Sequence, residues 1–195
     1  MNSTAQTLQR QTLDIGGVLR NGWRRFVDDI GPLLLATLIA CALTIVSLGI
    51  LGGPLLAGLY GMVIGRVRDG RRAEVGDVFS GFDRFWAYFW AGLVLFVLIG
   101  LASITIIGGV LLATIWLYVF PLMVDRGMGL GEAMGASYDI VRGSFWEHLA
   151  LVIVFAVISA VAEGPLALLS TPFVIVATGV AYYSAQGRTD LVERT

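Results

Sequence analysis

Residues 30–65 read IGPLLLATLIACALTIVSLGILGGPLLAGLYGMVIG, a stretch without a single Asp, Glu, Lys, Arg or His. A helix rises 1.5 Å per residue, so one unbroken helix of this length would reach roughly 55 Å, against a bilayer hydrocarbon core of about 30 Å. The chain must therefore turn back on itself inside the stretch. The turn is marked by Gly49, Gly52, Gly53 and Pro54, since Gly and Pro are the strongest local breakers.

Two further stretches follow the same logic. Phe85–Val124 carries no charge, and Leu149–Gly187 is interrupted only by Glu163. Gly108 and Gly109 mark the fold-back of the first, and Glu163, Gly164 and Pro165 that of the second. The expected fold class is all-α: a polytopic membrane protein with six transmembrane helices near 33–49, 54–66, 86–107, 109–124, 149–163 and 166–185. They are arranged as three hairpins, each preceded by an amphipathic interfacial helix. The short second helix has two readings, a full crossing with Arg66 and Arg68 snorkelling to the surface, or a hairpin arm that stops short.

Composition agrees. Hydrophobic residues make up 57% and charged residues 14%, against about 45–50% and about 25% in soluble domains. A soluble chain of this balance would expose large adhesive patches, and a bilayer removes that problem. The formal charge of −1 gives no reason to expect a nucleic-acid partner. Residues 1–29 are polar and mixed in charge, without the short apolar core of a secretory signal, so the first span is expected to direct insertion. Cys41 is the only cysteine, which rules out a disulfide within the chain and reads as a small packing residue.

The chain also resembles itself. Ile15-Gly16, Val75-Gly76 and Leu130-Gly131 each open an amphipathic segment, and a breaker follows about 34 residues later, at Gly49, Gly109 and Gly164. The expected layout is one membrane domain, 1–195, with repeat-like units 13–66, 74–124 and 129–186 and a polar tail, 187–195. Leu8, Thr12, Ile15, Leu19, Gly22, Phe26 and Ile30 fall at helical steps in the first unit. Such a helix either lies in the headgroup layer or covers the end of the bundle.

All thirteen basic residues are arginines, and in this layout they fall on one side of the membrane. Positive charge is retained in the cytoplasm during insertion, so both termini are expected there, in a bacterial cytoplasmic membrane. Trp23, Trp86, Trp90 and Trp146 fall near the same span ends, where amphipathic rings favour the interface, and Trp116 is the exception.

Three features are candidate sites. Gly53, Ala57, Gly61 and Gly65 form a small-residue stripe on the second helix, suited to close packing within the chain or to docking another subunit. Arg66, Arg68, Arg71 and Arg72 form a juxtamembrane basic cluster, a topology signal or a contact for anionic lipid, partly offset by Asp69, Glu74 and Asp77. Glu163 is the one acid within the apolar stretches, read either as reaching external water at a turn or as a proton- or ion-coupling group. His148 is expected to be solvated at the interface. No serine pairs with an intramembrane base, one histidine and one cysteine make no zinc site, and no phosphate-binding loop is present. No catalytic residue, metal site or cofactor is expected.

The layout resembles a loose set of bacterial six-helix membrane families, including YciC-like proteins and the membrane domain attached to some glycerophosphodiester phosphodiesterases. The matching segments are Gly22-Trp23-Arg24-Arg25-Phe26, Phe79-Ser80-Gly81-Phe82, and Glu132-Ala133-Met134-Gly135-Ala136-Ser137-Tyr138 with Arg142-Gly143. The resemblance implies a membrane domain without catalytic residues, and the phosphodiesterase domain itself is missing from this sequence. The function expected is that of a non-enzymatic accessory or scaffold subunit packing against lipids, other membrane proteins or copies of itself. The alternative is a small transporter or channel-like protein.

Overall fold

A computed structural model describes residues 13–162 and 166–193. Among these the chain is helical, with no strand. The elements are α1 (Ile15–Asp28), α2 (Ile30–Val46), α3 (Gly52–Asp69), a 3-10 segment (Val75–Arg84), α4 (Phe85–Ala102), α5 (Ile106–Ile115), α6 (Val119–Arg126), α7 (Leu130–Arg142), α8 (Phe145–Val161), α9 (Ala167–Ala185) and α10 (Thr189–Glu193).

Three stretches are long and apolar enough to cross a membrane: Val75–Ala102, Ile106–Arg126 and Ala167–Ala185. The number rises to five if the bent pairs α1–α2 and α7–α8, with bends of 88° and 107°, each count as one span. By sequence, both bends fall between an amphipathic helix and an apolar one. The second amphipathic segment behaves differently. It is a 3-10 run that continues into α4 without such a bend.

Helix α3 lies at the centre. It packs against α2, the 3-10 segment, α4, α6 and α9, and most of its residues are buried. The approach is backbone to backbone. A Cβ on Gly58 would collide with the Val78 carbonyl, and one on Gly81 with the Pro54 carbonyl. One turn earlier, a Cβ on Gly53 would strike the Tyr88 carbonyl, and one on Gly92 would lie 2.9 Å from the Gly53 Cα. Association of helices in lipid relies on packing, and such contacts need side chains no larger than hydrogen at the crossing.

Helix α9 is the second buried helix, with Ile175–Tyr183 all inside. α1 lies on it through Val18, Gly22 and Phe26, and a Cβ on Gly22 would come within 3.2 Å of the Ala177 Cα. The amphipathic face of α1 is therefore spent on the bundle. Large apolar side chains are exposed instead on the outer helices: Leu35 and Val46 on α2, Phe96 on α4, Ile107 on α5, Val157 and Val161 on α8.

The turns differ in detail from expectation. α2 ends at Val46, and the reversal runs over Ser47–Leu51, where Leu48 takes φ 53° and Gly49 φ 89°. The Gly49 N–H reaches the Thr44 carbonyl at 2.8 Å, and the Ser47 hydroxyl accepts the Leu51 N–H at 3.1 Å. Gly52 and Pro54 belong to the first turn of α3, where proline costs no hydrogen bond. The second reversal lies at Ser103–Thr105, before the expected Gly108 and Gly109. Those glycines sit in the first turn of α5, pressed against Ala102, Ser103 and Thr105. They allow tight packing after a turn that Ser103 and Thr105 make by bonding the Ile99 and Ala102 carbonyls.

The stretch α5–α6 is broken at Trp116–Tyr118, just ahead of Pro121. Ser137 of α7 fills the break. Its hydroxyl donates to the Ile115 carbonyl at 2.7 Å and accepts the Tyr118 N–H at 3.2 Å. Broken spans are tolerated where a neighbouring helix satisfies the freed backbone groups, and here one fully buried serine satisfies both. His148, expected at the solvated interface, is fully buried. Its Nδ1 lies 2.8 Å from the Ser144 carbonyl, and its ring packs edge-on to Tyr118 at 5.4 Å.

The crossing of α3 gives a prediction. Gly58→Ala forces α3 and the 3-10 segment apart, and overpacking of this kind costs about 1–3 kcal/mol or more. Gly61 faces the movable Ser80 hydroxyl at 3.1 Å and the Val124 side chain at 4.0 Å. Thermal unfolding in detergent is expected to show Gly58→Ala much less stable than Gly61→Ala, and equal midpoints would contradict the crossing.

Candidate functional site: an arginine-walled cavity at one end of the bundle

Helix α3 ends at Gly70, which takes φ 68°, and α6 ends at Gly127, with φ 65°. These left-handed glycines stop both helices at the end of the bundle where the charges collect. Arg66 and Arg68 occupy the last turn of α3, where cations complement the helix dipole. Arg66 Nε lies 2.9 Å from Asp29 Oδ2, at the junction of α1 and α2, and its Nη2 lies 3.9 Å from Asp28. The Asp29 side chain is 8% exposed and that of Arg66 25%. Asp29 Oδ2 accepts no aligned hydrogen bond, so the contact is an ion pair rather than a shared proton.

Arg68 reaches the other way. It holds Asp69 through Nε and Nη2 and Asp125 of α6 through Nη1 at 2.9 Å. Asp125 also accepts the hydroxyls of Tyr182 and Tyr183 from α9, each at 3.0 Å. Arg126 bonds the Gln186 side chain next to this cluster. The ends of α3, α6 and α9 and the start of α2 are thus joined by charged hydrogen bonds and ion pairs.

Between α1, the end of α3 and α10 opens a cavity of about 680 Å³. Its wall carries Arg24, Arg25, Arg66 and Arg68, with Asp28 and Asp69 beside them and Trp23, Val27, Val67 and Val192 as the apolar part. Arg25 donates to the carbonyls of Leu191 and Val192 at 2.8 and 2.9 Å, which ties α10 across the opening. Burial pushes the Arg25 guanidinium below its ordinary pKa, and the neighbouring Arg66 charge adds to this, while Asp28 and Asp29 oppose it. The last residues were expected to be a polar tail. Instead α10 buries Leu191 and Val192.

The candidate residues divide. Arg66 and Arg68 line the cavity, whereas Arg71 turns away to Asp77 at 3.0 Å and Arg72 is exposed on the loop outside it. The bond to Asp77 raises the Arg71 pKa. The partners of Arg66 and Arg68 in the wall are Arg24 and Arg25, far away in sequence. The signal that could have found them is that α1 ends where α2 begins, at the same end as the close of α3. Gly53 and Ala57 are buried, Gly61 is half-buried beside Ser80, and Gly65 is covered by the Arg71 side chain. Those positions are occupied within the chain. Gly58, Gly81 and Gly92 make further backbone crossings that the stripe omits, beside that of Gly53. Glu163 lies outside the described residues.

Among the described residues, no group of three or more His, Cys, Asp or Glu side chains is placed to hold a metal ion. Comparison with family models, with curated proteins and with solved structures finds no match to the chain.

The Arg66–Asp29 pair can be tested directly. Breaking a buried pair costs about 3–5 kcal/mol, and the partial exposure of Arg66 reduces this to about 2–3 kcal/mol. Arg66→Gln is expected to lower stability in detergent by that amount. Adding Asp29→Asn, which removes the stranded charge, is expected to restore most of it. A double variant no better than the single one would show that the pair is not the cause.

Proposed function

We propose that this chain is a non-enzymatic integral membrane protein of the accessory or scaffold kind, with six apolar helices crossing the bilayer and both termini on the arginine-bearing side of a bacterial cytoplasmic membrane. The observation that carries the reading is the sorting of charge. Residues 30–65, 85–124, 149–162 and 166–187 hold no Asp, Glu, Lys or Arg, while ion pairs join the start of α2 to the end of α3 and the end of α3 to that of α6. Apolar side chains cover the outer helices, as a lipid-facing surface requires.

The packing of α2 on α3, α4 on α5 and α8 on α9 supports the pairing of neighbouring helices. α2 and α8, at 17 residues, and α3, with its charged last turn, then serve as the shorter spans. The space next to the cavity, bounded by Asp29, Leu33, Met62 and Val176, measures about 10 Å³, scarcely enough for one water. A space this narrow beside the cavity supports a protein that holds partners or lipids rather than one that passes a solute.

The competing reading is a small transporter or channel-like protein. It is favoured by one observation: the Tyr118 hydroxyl and His148 Nε2 are buried in the bundle without a hydrogen-bond partner among the described residues.

Two measurements test the proposal, and the second separates the two readings. Reporter fusions at Gly52 and at the C-terminus are expected to place the first outside and the second in the cytoplasm, and an external C-terminus would overturn the orientation. Purified protein in liposomes is expected to leave ion and small-solute fluxes at the level of empty vesicles. A flux that scales with protein would overturn the scaffold reading.

A further inference from the structure

We propose that the cavity between α1, α3 and α10 binds the phosphodiester of an anionic phospholipid headgroup. The inference rests on the membrane reading above, which sets the cavity mouth at headgroup depth. Its wall carries four arginines and two aspartates, and Asp29 and Asp125 behind it pair with Arg66 and Arg68, which leaves Arg24 as the cation to meet an incoming anion. Arg24 is exposed and makes no hydrogen bond or ion pair among the described residues. Arg66 and Arg68 are held in place by Asp29, Asp69 and Asp125. A guanidinium presents five N–H donors in a planar fork, so a paired arginine can still serve a phosphate oxygen.

The apolar part of the wall fits the rest of a lipid. Trp23 and Val27, on the outward face of α1, are 57% and 46% exposed and line the cavity beside Arg24. Indole rings favour the membrane interface, and Trp23 stands at the edge of the cavity. An acyl chain can then leave past Trp23 and Val27 while the phosphate stays among the arginines. Asp28 and Asp69 supply acceptors for headgroup hydroxyls, which points to a glycerol-type headgroup. The cavity, at about 680 Å³, lies in the ordinary range of roughly 300–1,000 Å³ for small-molecule sites.

The test uses the full-length protein in a neutral detergent and titration calorimetry. The probes are dihexanoyl phosphatidylglycerol, dihexanoyl phosphatidylcholine, glycerol 1-phosphate and inorganic phosphate. Saturable binding of the phosphatidylglycerol is expected, with the other three much weaker. Arg24→Gln is expected to weaken it about fivefold, the effect of one basic residue near a lipid surface. Arg72→Gln removes an exposed arginine outside the cavity and is expected to leave it unchanged. Equal weakening by both variants would reduce the effect to diffuse surface charge and overturn the site. Equal binding of phosphatidylcholine would overturn anion selection, and equal binding of either soluble phosphate would overturn a lipid as the source. Because binding is read in detergent, it does not depend on orientation. An external C-terminus would therefore overturn the orientation and leave the site standing, and absent binding with the expected topology would sink the site alone.

Discussion

The bundle depends on how closely one helix can be approached. α3 meets the segment before α4 across Gly58 and Gly81, and the start of α4 across Gly53 and Gly92. At these points carbonyl oxygens occupy the space that side chains would fill. Lipid tails are as apolar as leucine, so burying another leucine between spans gains little, whereas close backbone packing gains dispersion contacts over the whole crossing. With α3 locked at the centre, α2, α4, α6 and α9 can all reach it. The helices that expose apolar side chains are left on the outside.

Charge fixes the other coordinate, the relative height of the helices. Asp125 of α6 takes hydrogen bonds from α3 through Arg68 and from α9 through Tyr182 and Tyr183. Arg66 holds the start of α2 to the end of α3 through Asp29. A slip of α3 by one turn would take Arg66 and Arg68 away from Asp29 and Asp125, two largely buried carboxylates. The same residues stand behind the wall of the cavity, so the register of the bundle and the shape of the opening share one set of contacts.

Much of this was legible in the sequence, and the omissions have physical causes. The length of each charge-free stretch requires a turn, and turns lie between Val46 and Gly52 and between Ala102 and Ile106. Glycine was a poor guide to where the second turn falls. Gly108 and Gly109 serve close packing in α5, and the reversal is made by Ser103 and Thr105, whose hydroxyls bond carbonyls of the last turn of α4. Steps of four picked out Gly53, Ala57, Gly61 and Gly65, yet Gly58 bears the tighter contact, because a crossing follows the angle between helices and not a strict period. Arg66 and Arg68 were visible as a cluster, but Arg24 and Arg25 join them only through folding. Ser137 gave no signal: a serine that repairs a break in another helix looks like any other serine until the two helices are side by side.

The length of the outer helices carries a consequence for the membrane itself. α2 and α8 have 17 residues each, which at 1.5 Å per residue gives about 26 Å, less than the average hydrocarbon thickness of about 30 Å. At the ends away from the arginines, Leu48, Ile104 and Ile106 are more than four-fifths exposed. Apolar turns of this kind can sink below the headgroups, so the shortfall need not expose backbone. In the six-span reading the surrounding lipid must compress by a few ångströms to meet the protein, at a modest cost for each. The chain then behaves as a local thin spot, and sorting by bilayer thickness would draw it toward thinner membrane and toward other proteins with equally short spans.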